Sequence, residues 1–151
     1  MTDSLDSLSP AWRKTLDAIE RRQSSPVMLP LAIGAIVDIF EAGTNDGATI
    51  RFEDYEQRFR ALAAKHQITL KSGPWMPYLA LTGSSAVLVP LDPESGGPRE
   101  LCRPRPKSRA ALLGQSSCSH VSTSLAQGLA NATVRHALSA WLEARLDRAQ
   151  P

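Results

Sequence analysis

Five cations stand close together at Arg99, Arg103, Arg105, Lys107 and Arg109, opposed within that stretch by Glu100 alone. Pro104 and Pro106 hold alternate residues extended, which splays the arginines instead of packing them. Guanidinium forks so displayed suit phosphate oxygens and the O6/N7 edge of guanine, whereas a merely solvated basic loop is the plain alternative. Upstream, Pro74 and Pro77 bracket Trp75 and Met76. The expectation is a stiff apolar ledge, poor in amide donors, beside a basic arm.

The sequence offers little to a catalytic reading. It contains no Gly-rich phosphate loop, nucleophile elbow or zinc-hydrolase helix. Cys102, Cys118 and His120, even with His66 or His136, match no common zinc spacing, so the cysteines read as buried or incidental. Glu53 and Asp54 sit at a helix start, where the helix dipole accounts for adjacent acids without chemistry. No catalytic residue, metal or cofactor is expected, and the chain reads as a binding domain.

The elements that must position the ledge and the arm are mostly helical. Ser9-Pro10 starts a helix to about Gln23 with Trp12, Leu16 and Ile19 on one face. Ser25-Pro26 repeats that start before a run apolar nearly all round, as befits a core helix, with Gly43 at its left-handed end and Pro30 as a kink or a delayed onset. Residues 49–52 read as a short strand or a helix lead-in. From Glu53 the spacing of Tyr55, Phe59, Leu62 and Ala63 predicts a third helix. Residues 67–71 read as a strand or an extended lead, and 78–82 with 86–89 as a β-hairpin turned at Gly83, Ser84 and Ser85.

Residues 92–98 read as a loop. Ser108 is expected to cap a short helix from Arg109 to Leu113, closed by Gly114. Residues 115–123 read as polar and serine-rich, and 125–129 as at most a short helix. Asn131 then caps a terminal helix buried along Val134, Leu138, Trp141, Leu142 and Leu146. The fold class is therefore α+β and mainly helical, with three or four helices around a core helix and a β-hairpin, in a winged-helix-like order. Residues 1–9 read as an N-terminal tail and 10–148 as a single domain.

With 151 residues, 42% apolar and 21% charged, the chain is of a size for one packed core. Its net charge of +2 conceals a segregation: −5 over residues 1–56, +6 over 57–109 and +1 over 110–151. An anion-binding face with an acidic back would give that pattern and would steer a polyanion, as a solvated charged surface also would. The acidic, polar start lacks the basic and apolar segments of an export signal, and the longest apolar run, 27–37, is too short to span a bilayer. A cytoplasmic location without membrane contact is the expectation.

Three stretches, SPVMLPLAIGA at 25–35, FEDYEQRFRAL at 52–62 and MPYLAL at 76–81, resemble the sulfur-binding domain of phosphorothioate-dependent type IV (HNH) restriction endonucleases, over roughly residues 10–148. The resemblance implies a partner, double-stranded DNA in which sulfur replaces a non-bridging phosphate oxygen. It implies an apolar cavity built on a tyrosine-proline pair, an alanine three residues beyond that proline, and an arginine near the start of the core helix. Pro77 and Ala80 keep the spacing, Met76 stands at the tyrosine position, and Trp75 or Tyr78 is left to supply the aromatic group. Carried over, the sulfur pocket is Met76, Pro77, Tyr78 and Ala80 with Arg22; the DNA contacts, read from the basic arm itself, are Arg99, Arg103, Arg105, Lys107, Ser108 and Arg109. The family's nuclease module has no counterpart in this sequence, so cleavage would need a partner or fused module. A winged-helix-like regulatory module indifferent to sulfur and a protein-interaction domain built on the Trp75 ledge are the alternatives.

Overall fold

The computed structural model describes residues 8–22, 27–70, 73–82, 87–98, 101 and 106–149. Seven helices and three short strands lie among them. Helix α1 (Pro10–Arg22) opens on Ser9, whose hydroxyl accepts from the Trp12 amide at 3.3 Å. It buries Trp12, Leu16 and Ile19. The Trp12 indole donates to the Leu125 carbonyl at 3.0 Å, so a polar handle inside the core fixes α1 against α6 (Thr123–Leu129).

Helix α2 (Met28–Ala42) is the core helix that its all-round apolar pattern demands: Pro30 to Val37 and Ile39 are buried. Pro30 sits in the first turn, where no intrahelical amide is missed, so it neither kinks nor delays the helix beyond its onset at Met28. Gly43 ends it at φ 75°, returning its amide to the Phe40 carbonyl. Helix α2 packs against both α3 (Phe52–Lys65) and α7 (Ala132–Ala149). Gly34 permits the close approach. A methyl group built there would stand 2.5 Å from the Leu142 side chain of α7 and 2.9 Å from that of Leu62 on α3.

The sheet is antiparallel with order β1-β3-β2, formed by β1 (Thr49–Arg51), β2 (Leu88–Pro90) and β3 (Cys118–Val121). Ile50 and Pro90 both stand opposite Ser119, while Thr49 and Val89 stand opposite His120. The stretch 49–52 thus resolves as strand first and helix immediately after. Residues 68–70 are irregular, following Gln67 at φ 58°.

The hairpin expectation requires correction. Residues 75–81 form helix α4 (Trp75–Leu81), and β2 pairs with β3, to which it is connected through residues 91–117. The supposed turn at Gly83, Ser84 and Ser85 lies outside the described residues, as does Ala86. Pro74 occupies the N-cap and Pro77 the first turn of α4, the two places in a helix where a missing N–H costs nothing. A proline pair that looks strand-blunting is here a helix start. The serine-rich segment at 115–123 also hides β3.

Helix α5 (Arg109–Gln115) runs through Gly114 instead of stopping there, and Ser108 caps it by accepting from the Ala111 amide at 3.1 Å. Asn131 caps α7 through the Thr133 amide at 2.8 Å, and all five residues of the expected stripe are buried. The fold is α+β and mainly helical. Its three or four expected helices become seven among the described residues, the first strand of its expected hairpin becomes α4, and the second pairs instead with the distant β3.

Gly34→Ala is expected to destabilise the fold by about 1–3 kcal/mol despite alanine's better helix propensity, because the Leu62 and Leu142 side chains must both shift. Gly114→Ala, with nothing within 4 Å of the new methyl, is expected to be neutral or stabilising by up to ~1 kcal/mol. Chemical denaturation of both variants checks the contrast.

Candidate nucleic-acid interface

Seven residues are too few to hold a helix in water, so α4 owes its existence to what it buries. Tyr78 is 1% exposed and Pro77 and Leu81 are buried with it. The Tyr78 ring meets Phe52 edge-on with centroids 4.9 Å apart and lies 4.9 Å from Tyr55. Its hydroxyl shares a short hydrogen bond with the buried Ser119 hydroxyl of β3. Tyr55 in turn donates to the Pro74 carbonyl at 2.8 Å, tying the start of α4 to α3. Burial pushes both phenols well above their ordinary range, and the Ser119 bond only partly offsets that for Tyr78.

With one face fixed inward, helical geometry sends the remaining residues out. Trp75, Met76, Leu79 and Ala80 stand together on the opposite face and, with Pro106 and Lys107, line an open hollow of about 520 Å³. Met76 is 49% exposed, the one large apolar side chain so displayed among the described residues. Among the described residues Lys107 supplies the only charge of the lining, and it makes no ion pair with any of them. The expected pocket therefore divides. Met76 and Ala80, one turn apart, share the hollow, while Pro77 and Tyr78 are core residues and cannot touch a ligand in it. Trp75 and Leu79, also one turn apart, replace them.

The basic arm divides as well. Arg99, Arg103 and Arg105 lie outside the described residues, as does the side chain of Arg22, the last residue of α1. Pro106 is buried, Lys107 is exposed, and Ser108 is engaged as the α5 cap. Arg109 projects to the other side of this short ridge. It donates from Nε and Nη2 to the two carboxylate oxygens of Glu56, at 2.8 and 2.9 Å, and its guanidinium lies 5.5 Å from the centre of the Phe52 ring. The Glu56 bonds hold the guanidinium charged to a higher pH than usual.

A second hollow of about 560 Å³ opens on that side. Its lining includes Arg51, Glu53, Glu56, Gln57, Arg109 and Ser117. Sequence spacing could not have joined Glu56 to Arg109, which are far apart in the chain and meet only because α5 packs near α3. Trp75 and Leu79 did carry a signal, namely their spacing of four residues.

Other candidate residues are held by structural partners. Asp54 and Thr44 engage Arg58, which also donates to the Asp38 carbonyl, bracing the end of α2 against α3. Arg135 is bound to Glu41 and to the Leu129 carbonyl. Among the described residues no three His, Cys, Asp or Glu side chains form a metal-sized group, and no helix is long and apolar enough to cross a membrane. Compared with known proteins, the chain matches no family model, and no curated protein matches it in sequence.

Tyr78→Phe is expected to cost about 1–3 kcal/mol, since it strands the buried Ser119 hydroxyl, and Tyr78→Phe with Ser119→Ala is expected to recover part of that loss. The raised phenols also set an alkaline limit. Unfolded tyrosines ionise near about pH 10 while the buried ones stay protonated, so stability is full below that pH and falls as pH rises beyond it. Melting curves from pH 7 to 11 are expected to show that fall, less steep in Tyr78→Phe.

Proposed function

We propose that this chain is a DNA-binding domain of the sulfur-binding type, which reads a phosphorothioate in the duplex backbone through the hollow on the outer face of α4. The observation that carries the reading is the pairing of an apolar lining, Trp75, Met76, Leu79, Ala80 and Pro106, with Lys107 at its edge, a cation that makes no ion pair among the described residues. The resemblance of residues 76–81 to the family's pocket segment falls on the same helix.

Sulfur in a phosphorothioate is larger, more polarisable and less strongly hydrated than oxygen. An apolar cup takes it out of water at low cost, whereas an oxygen placed there loses its water and meets no donor. One such unpaired atom is worth about 1–3 kcal/mol, or roughly 5- to 150-fold in affinity. Met76 suits the role, because its thioether is soft and its unbranched chain adapts to a large guest. Lys107 then faces the charge that the diester retains.

The order of elements supports a duplex partner. Helix α4 follows α3 and is itself followed by the antiparallel pair β2 and β3, whose long connection carries the cations of the arm. In this reading the domain does no chemistry; cutting belongs to a nuclease module beside it. A cytoplasmic setting, where such DNA is met, completes the proposal.

Fluorescence anisotropy on duplexes with and without one phosphorothioate, each diastereomer separately, tests it. The expected result is at least fivefold tighter binding of one modified diastereomer. Ala80→Glu, an exposed change that leaves the core alone, is expected to abolish the preference while weak binding of ordinary duplex persists. Equal affinity for all duplexes would leave an ordinary DNA-binding module, and no binding at low salt would leave a protein-interaction surface.

A further inference from the structure

We infer that the second hollow, across the ridge from the apolar cup, is a phosphate subsite in which Arg109 and Arg51 take a backbone phosphate and Glu56 is the group that the phosphate displaces. The inference rests on the duplex-binding reading above and adds to it a site, its ligand and an exchange.

Glu56 holds Arg109 as a phosphate would, with two oxygens on the Nε and Nη2 donors of one guanidinium edge. Arg109 is nonetheless reachable, with its side chain 48% exposed, and its stacking on Phe52 keeps the guanidinium plane in place when the partner changes. Glu56 is 14% exposed and also lies 3.9 Å from Arg60, so on release it keeps a cation and is not left a half-buried orphan charge. Arg51 is exposed on the same lining and makes no ion pair among the described residues, while Gln57 and Ser117 add neutral donors.

The geometry also suits one strand crossing both hollows. Lys107 edges the cup and Arg109 edges the subsite, and only Ser108 separates them in the chain, so the two hollows adjoin across one short ridge. Glu53 and Glu56 keep the free subsite near neutrality, so an anion held there alone binds weakly. A duplex anchored at the cup arrives at high effective concentration and competes successfully with Glu56.

Binding of modified and unmodified duplex by Glu56→Gln, Arg51→Ala and Glu56→Gln with Arg109→Ala tests the exchange. Glu56→Gln is expected to bind both duplexes about two- to fivefold more tightly, by a common factor that leaves any sulfur preference unchanged. Adding Arg109→Ala is expected to remove the gain. Arg51→Ala is expected to weaken both duplexes alike and to lower the salt slope by about one. Unchanged or weaker binding in Glu56→Gln would overturn the inference, making Glu56 a positioning partner, with the sulfur reading intact. Calorimetry with inorganic tripolyphosphate separates the two claims: binding by Glu56→Gln that Arg109→Ala abolishes upholds the subsite even where no duplex binds, and its absence in that case overturns it.

Discussion

The hydroxyl pair of Tyr78 and Ser119 is the constraint on which the outer surface depends. A buried phenol and a buried serine are each expensive alone, and each is the other's partner, so α4 can rotate no further without stranding both. Phe52 and Tyr55 pack the same ring from α3, which turns one hydrogen bond into a fixed orientation. A helix of seven residues is thereby held to a definite azimuth, and the exposure of Met76 and Ala80, with Trp75 and Leu79 half-buried beside them, follows from it.

Behind that lock stands the packing of α2 against both α3 and α7. Gly34 lets leucines from both neighbours close on the same turn of α2, so α3, which carries Phe52, Tyr55 and Glu56, is positioned by the core and not by a loop. The ridge on the other side of the cup is placed by two local devices, a buried Pro106 and the Ser108 cap of α5. Lys107 and Arg109 lie on either side of that cap and open onto different hollows. A surface assembled from two elements, each fixed inside, needs little reordering to meet a ligand, which limits the entropic cost of binding.

How much of this could be read in the sequence depends on the range of the interaction. Helices α1, α2, α3 and α7 were legible because spacing of apolar residues and end signals such as Ser9-Pro10, Gly43 and Asn131 are local. Helix α4 was not, because Pro74 and Pro77 carry opposite meanings in a strand edge and in a first turn, and only the inward pull of Tyr78 and Leu81 decides between them. Strand β3 escaped notice because its inward residue Ser119 is polar, and its polarity makes sense only once Tyr78 is seen above it. Met76, Pro77, Tyr78 and Ala80 were read as one pocket; with 75–81 helical and not extended, Met76 and Ala80 line the hollow while Pro77 and Tyr78 turn into the core. Pro106 joins the cup, and Glu56 meets Arg109, through tertiary packing alone.

The segregation of charge along the chain has a different meaning in three dimensions. The acidic first third contributes Glu56, and the basic middle contributes Arg109, and the two neutralise each other at the ridge. Arg58 and Arg60 from the same basic stretch are likewise set against Asp54 and Glu56 along α3. Much of the apparent polarity is thus spent inside the surface, while Lys107 and Arg51, which make no ion pair among the described residues, each line one of the two hollows. Under the proposed DNA-binding reading, a polyanion therefore meets one such cation at each hollow, Lys107 beside the apolar lining and Arg51 beside Glu53 and Glu56.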